Sequence, residues 1–189
     1  MPSTNNYITV DNSLLTYDGS YLFLLPSSST VSFGDGYTYK TVTIGTQTWL
    51  AENLVMEIPR YSQLISPEDE INGIGRMYQQ AAVTAINAAV APYGWKVASQ
   101  ADYEVLRNQV IADGNNMPLS LKSTSWDGTD DYGFGIVKSH FISPTTEIVE
   151  ANFWMSDVNQ RFFLRDGDSY GFDQREPTEW NNIRLILDN

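Results

Sequence analysis

The chain has 189 residues, 42% of them hydrophobic and 13% aromatic, with a formal net charge of −12. That length supports one domain with a small appendage, able to bury roughly 70% of its unfolded-chain surface without a metal or a disulfide. The absence of cysteine excludes thiol catalysis, disulfide staples and cysteine-based zinc sites. The acidic balance, with no stripe of Lys or Arg, argues against nucleic acid as a partner.

The opening "MPSTNNYITVDNSLL" has neither a basic start nor a long apolar run, so no signal peptide is expected. No window approaches the ~18 apolar residues of a membrane span. The chain is expected to stay in the cell that makes it, to leave without a signal, or to have lost one. Residues 7–10 and 14–17 alternate like strands, and Asp18-Gly19 marks a hairpin turn. Tyr21, Leu22, Phe23, Leu24 and Leu25 follow as an apolar run. A lone hairpin carrying such a run is unstable in water, so these five are candidate assembly residues. "PSSST", residues 26–30, reads as a linker, which divides the chain into an anchoring hairpin over 1–30 and a domain over 31–189.

Within "YKTVTIGTQTWLAENL", Gly45-Thr46 suits a two-residue type II′ turn. That turn sets Val42 opposite Trp49, Thr43 opposite Thr48 and Ile44 opposite Gln47. Val42, Ile44 and Trp49 then face a core, and the Thr pair faces outward. Residues 75–90 are Ala-rich, with Met77, Ala81, Ala85 and Ala88 near helical spacing and Pro92 as a stop. A second helix begins at Ser99, where Ser99-Gln-Ala-Asp102 has the form of a capping box. Its apolar face is Tyr103, Leu106 and Val110, and Asp113-Gly114 ends it.

Further along, short strand-like pieces occur at 134–138, 141–142, 152–155, 161–165, 170–172 and 182–187, divided by Gly-containing turns. Strands following two helices indicate an α+β domain with an antiparallel sheet.

Several phrases taken in order, "YKTVTIGTQTWLAENL", "GRMYQQAA", "YGWKVASQADYEVL", "LKSTSWDGTDDYGF", "FWMSD" and "NNIRLILDN", resemble the Fibrobacter succinogenes major paralogous domain family over residues 34–189. The first and fourth phrases carry most of the likeness. The resemblance implies a C-type lectin-like fold, related to phage receptor-binding and formylglycine-generating-enzyme-like domains. It also implies two helices flanking a twisted antiparallel sheet, here with an N-terminal β-hairpin extension. Members of that family often carry two cysteines, where this chain has Ala91 or Pro92 and Leu185 or Ile186. Their joint absence fits folding in a reducing cytoplasm.

The chemistry-bearing residues offer little for catalysis. His140, the only histidine, lies in a strand-like run without a nucleophile elbow. Asp127, Asp130 and Asp131 in "DGTDDYG" are weak calcium candidates whose spacing is not that of an EF-hand. "EPTEWNN" is similar to the Glu-Pro-Asn and Trp-Asn-Asp elements of sugar-binding lectins, which come from separate segments. In the phage relatives the late segment lines the recognition face. The resemblance therefore points to Arg165, Asp168, Tyr170, Phe172, Trp180, Asn181 and Asn182, in a stretch that also holds Phe162 and Phe163, as a display face. Arg, Tyr and Trp are the residue types of interface hot spots. The expectation is a non-enzymatic virion structural or display protein, made in the host cytoplasm and without a cofactor. Its expected partners are other virion or surface proteins and host-surface glycans within an oligomer, with neither nucleic acid nor membrane. The alternative is a secreted or cell-surface bacterial binding module of the same fold. A hydrolase using His140 or a carboxylate pair is a distant third.

Overall fold

The structure, a computed structural model, describes residues 7–10, 13–17, 22–24, 29–64, 73–143 and 146–188. It is α+β, with three α-helices among the described residues and mainly antiparallel sheets. Strands β1 (Tyr7–Val10), β2 (Ser13–Tyr17) and β3 (Leu22–Leu24) form a separate antiparallel meander. The expected hairpin is thus three strands. Of the candidate assembly residues, Leu22, Phe23 and Leu24 make up β3, while Tyr21 and Leu25 lie outside the described residues.

Strand β4 (Ser29–Val31) already belongs to the main sheet, through a ladder to β5 (Tyr39–Ile44) and a hydroxyl contact between Ser29 and Thr41. The linker expected to reach residue 30 therefore gives way to strand at Ser29. Beyond it, β5 and β6 (Gln47–Leu50) pair as the two-residue turn requires, with Val42 opposite Trp49 and Thr43 opposite Thr48. Their sheet continues through β15 (Leu185–Leu187) to β9 (Trp95–Val97). Both of its faces are buried. Val42, Ile44, Trp49 and Ile186 enter one apolar cluster, and Tyr39, Leu50, Val97 and Leu185 the other. At the turn end Thr43 and Thr48 face outward, their hydroxyls 3.0 Å apart, and Lys40 and most of edge strand β4 are exposed as well.

Helix α1 runs over Ala82–Val90 and buries Ala82, Val83, Ile86 and Val90 in the second cluster. The helix expected from residue 75 starts seven residues late. Gly75 sits at φ +70°, where a Cβ would stand 2.9 Å from the Leu54 carbonyl, and Met77–Tyr78 form strand β8, paired with β7 (Ser62–Gln63). Helix α2, Gln100–Ala112, begins at the expected box. The Ser99 and Asp102 side chains each take up the other's backbone N–H. Tyr103, Leu106 and Val110 are buried in the first cluster, and Gly114 at φ +80° closes the end. Helix α3 (Met117–Leu121), absent from the sequence expectation, is a single turn capped by the Asn116 side chain.

The C-terminal sheet has the order β10 (Ser139–Ser143), β11 (Thr146–Trp154), β12 (Gln160–Arg165) and β13 (Tyr170–Gln174), with β14 (Asn182–Ile183) parallel to β11. The expected strand over 134–138 reduces to an isolated bridge between Ile136 and Lys122. The expected run 182–187 splits into β14 and β15, parted by Arg184. One face of the C-terminal sheet, with Ala151, Phe153, Phe162 and Leu164, completes the first cluster. Among the described residues no helix is long and apolar enough to cross a membrane.

Candidate binding site

Strand alternation gives the C-terminal sheet two unlike faces. The inner carries apolar side chains. The outer carries Glu150 and Asn152 on β11, Arg161, Phe163 and Arg165 on β12, and Gly171 and Asp173 on β13. A charge ladder runs diagonally across these strands. Arg165 Nε lies 2.9 Å from Glu150, whose other oxygen meets Arg161 Nη1 at 3.1 Å; Arg161 Nε meets Asp173 at 2.8 Å, and Asp173 meets Arg175 at 2.9 Å. The Arg161 and Glu150 side chains are only 2% and 5% exposed, while Arg165 and Arg175 at the ends are about a third exposed. Burial alone pushes Glu150 up, but hydrogen bonds from Arg165 and Asn152 and the charge of Arg161 hold it below the ordinary carboxylate value. Asp173 is lowered likewise, burial being outweighed by Arg161 and Arg175. The ring of Phe163 packs under the Arg165 guanidinium at 4.5 Å and lies across Gly171, where a Cβ would stand 3.1 Å from it.

The far end of the β12–β13 hairpin is fastened from below. Lys122, 2% exposed, donates to the carbonyls of Arg165 at 2.5 Å and Gly167 at 2.8 Å, its ammonium 4.6 Å over the Trp126 ring. Trp126 Nε1–H in turn donates to Asp166 at 2.7 Å. Burial lowers the Lys122 pKa against the pull of Asp166 and Asp168. Gly128 lets these segments meet, since a Cβ there would fall 2.1 Å from the Lys122 carbonyl oxygen. The "LKSTSWDG" phrase is this latch.

At the other end of the hairpin a groove of about 600 Å³ opens between the turn before β12 and the segment after β13. Val158, 76% exposed, and Asn159 line one side, and Gln174, Arg175, Glu176, Pro177 and Glu179 the other. Asn159 holds φ +58°, and its carbonyl accepts the Arg175 N–H at 2.9 Å. The groove is thus fixed to the ladder strands, while among the described residues its two amides and two carboxylates have no side-chain hydrogen bond or ion pair. Carboxamides, carboxylates and a guanidinium, which accept and donate in fixed planes, suit a polar ligand rich in hydroxyl or amide groups.

The predicted display residues divide among three places. Arg165 and Asp168 lie at the latched turn, the first bound to Glu150 and the second exposed. Tyr170 and Phe172 occupy the inner row of β13, half-buried against the first cluster. Trp180, half-buried, follows the groove segment, beyond the end of a strand whose four steps span about 14 Å. Asn181 and Asn182 are buried at 1% and 0% exposure, which corrects their assignment to a display face. Asn181 exchanges backbone hydrogen bonds with Tyr78, and the Asn182 amide donates to the carbonyls of Ile74 and Arg76 at 2.7 and 3.0 Å, groups that no strand ladder satisfies.

The acidic loop serves the fold. Asp130 accepts the Gly135 N–H at 2.8 Å, and Asp131 accepts from Ser120 at 2.7 Å and Thr129 at 2.8 Å. Asp127 and Asp130 take left-handed backbone, at φ 52° and 50°. Burial raises the Asp130 carboxyl above its ordinary value. Among the described residues no three His, Cys, Asp or Glu gather closely enough to hold a metal ion. His140 lies on β10 opposite Val149, with its side chain outside the described set.

Sequence reasoning missed Arg184, which is fully buried between β14 and β15. It donates to the carbonyls of Leu50 at 3.0 Å and Phe134 at 2.7 Å and to Asn53 at 2.7 Å, and it packs between Phe134 and Phe153. Burial pushes its pKa down to about 10. It ties the Phe134 segment to β6 and the chain between β14 and β15, which are already joined by backbone hydrogen bonds. Compared with family models, curated proteins and solved structures, the chain matches none.

Proposed function

We propose that the chain is a non-enzymatic structural and display protein of a virus particle, built on a C-type lectin-like domain. The observation that carries the reading is the groove at the base of the β12–β13 hairpin. Asn159, Gln174, Glu176 and Glu179 line it beside an Arg175 already paired with Asp173, at the end of a hairpin whose inner face is packed core. Amides and carboxylates at the rim of a packed sheet support a binding role. The layered arrangement of α1 and α2 on opposite faces of the central sheet agrees with the lectin-like reading. The separate meander β1–β3, whose outer strands pair with no further strand among the described residues, supports the anchoring role.

Two measurements test it. A glycan array probed with the whole chain, with and without calcium, should show binding that Gln174→Ala and Glu176→Gln weaken at least about tenfold. Binding indifferent to both changes removes the groove from the reading. Light scattering of the full chain beside one beginning at Ser29 should show the mass fall on truncation while circular dichroism keeps its folded form. Equal masses per chain count would remove the anchor. Glycan binding that requires calcium would favour the free surface module.

A further inference from the structure

Among the described residues the outer side of β13 has no neighbouring strand. The order β10-β11-β12-β13 leaves it at the margin of the sheet. The phase of its ladder follows from two bonds, Arg165 N–H to the Ser169 carbonyl and Arg175 N–H to the Asn159 carbonyl, each 2.9 Å. Antiparallel pairs alternate, so Gly171 and Asp173 direct their backbone groups toward β12, while Tyr170, Phe172 and Gln174 direct theirs away from it. Among the described residues nothing takes those outward groups. Of the features that protect an edge the strand has one charge, Asp173, already tied to Arg161 and Arg175. Its register is continuous, and it holds no proline, no lysine and no bulge.

We propose that β13 is the seam through which two copies of this chain join, strand against strand, into one continuous sheet. The proposal stands whatever the groove binds. Three outward residues are an odd number, so an antiparallel partner of the same sequence pairs symmetrically about Phe172. Phe172 then faces its own copy, Tyr170 faces Gln174, and every outward N–H meets a carbonyl. Side chains agree with that register. Gly171 of one copy comes opposite Asp173 of the other, with the Phe163 ring that lies across Gly171 bordering the carboxylate. Arg175 of one copy comes level with Ser169 of the other and beside its Asp168, a favourable charge contact at each end. A second copy also suits this edge better than an unrelated strand, because no like charges meet within the ladder. Asp168 and Glu176 do come level, but both lie exposed beyond its ends.

The two copies each carry −12, so their repulsion opposes the join until salt screens it. Association should therefore strengthen as ionic strength rises from about 10 mM to about 150 mM. The decisive variant is Gln174→Pro. Gln174 is exposed and its N–H points away from β12, so proline there leaves the existing ladder intact and removes a donor from the new one. The full chain should give at least twice the 21.3 kDa mass by light scattering, and Gln174→Pro should break the β13 contact at least about tenfold more readily with an unchanged circular dichroism spectrum. A wild-type chain that remains monomeric at about 100 μM, or a Gln174→Pro dimer as tight as wild type, overturns the proposal. Should the proline variant fail to fold, Phe172→Cys gives a second reading. Facing residues at the two-fold axis lie about 5.5 Å apart, within disulfide reach, and the chain has no other cysteine. Mild oxidation should link folded Phe172→Cys into a covalent dimer, with Val158→Cys as the control. Failure to link more than that control also overturns the proposal.

Discussion

Replacing Glu150 by Gln keeps the side chain's size and removes one charge from the middle of the ladder. Arg161, 2% exposed, would keep only Asp173, itself 30% exposed, as its charged partner. Removing one member of a buried pair costs about 3–5 kcal/mol, because the remaining charge is left without compensation. The surviving contact to Asp173 places Glu150→Gln near the lower end, about 3 kcal/mol. For a chain of this size that is a fall of about 6–12 °C in melting temperature. The double change Glu150→Leu with Arg161→Met should recover at least half of the loss, since both buried charges go together. The pH dependence provides a second reading. The folded pKa values of Glu150 and Asp173 lie below their ordinary values of 4.5 and 3.8. Their contribution is therefore fully present above about pH 5 and is lost as pH falls through the depressed values. Wild type should lose stability across that acid range, and the double variant should lose less. Urea unfolding at pH 7 and pH 4, followed by circular dichroism, measures all three chains. A Glu150→Gln loss below about 1 kcal/mol, or a double variant no better than the single one, would refute the ladder as a stabilising unit.

Gly128→Ala should destabilise by about 3 kcal/mol or more in chemical unfolding, because the new Cβ would meet the Lys122 carbonyl oxygen at 2.1 Å and backbone must shift. Arg184→Met leaves two carbonyls and Asn53 without a donor, at about 1–3 kcal/mol for each group, so the chain is expected to melt far lower or to be recovered unfolded. Ser99→Ala removes half of the capping box and should cost about 1 kcal/mol, read from the thermal melt.

Where local rules decide, the sequence was legible. A two-residue turn at Gly45-Thr46 leaves one register for its strands, and Val42 does face Trp49. The Ser99 box marks the start of its helix to the residue because both halves of the motif lie within four positions. Distant partners were not legible. Met77 fits a helical spacing with Ala81, Ala85 and Ala88, yet it pairs with Gln63 of β7, and its neighbour Tyr78 bridges to Asn181, far along the chain. The run 182–187 reads as one strand, but its two halves pair with β11 and with β6 and β9. The site was obscured in a different way. Glu150, Arg161 and Asp173 have the pattern of a solvent-facing row, and single strands do not reveal that opposite charges on neighbours will pair and be covered. Asn181 and Asn182 misled for the converse reason, since amides suited to a ligand are equally suited to unpaired carbonyls.

The way Lys122 holds the β12–β13 turn bears on how this protein can change. Its ammonium grips the carbonyl oxygens of Arg165 and Gly167, atoms that every amino acid possesses. Asp166, bound by Trp126, and Gly167, at φ +72°, are constrained by what they are. Ser169, exposed at the tip and held through its carbonyl, can therefore be exchanged for almost any residue without loosening the turn, and exposed Asp168 for any that keeps its charge beside Lys122. A loop fastened by its main chain can be rewritten at its surface, so new contacts can arise there while the fold beneath stays as it is.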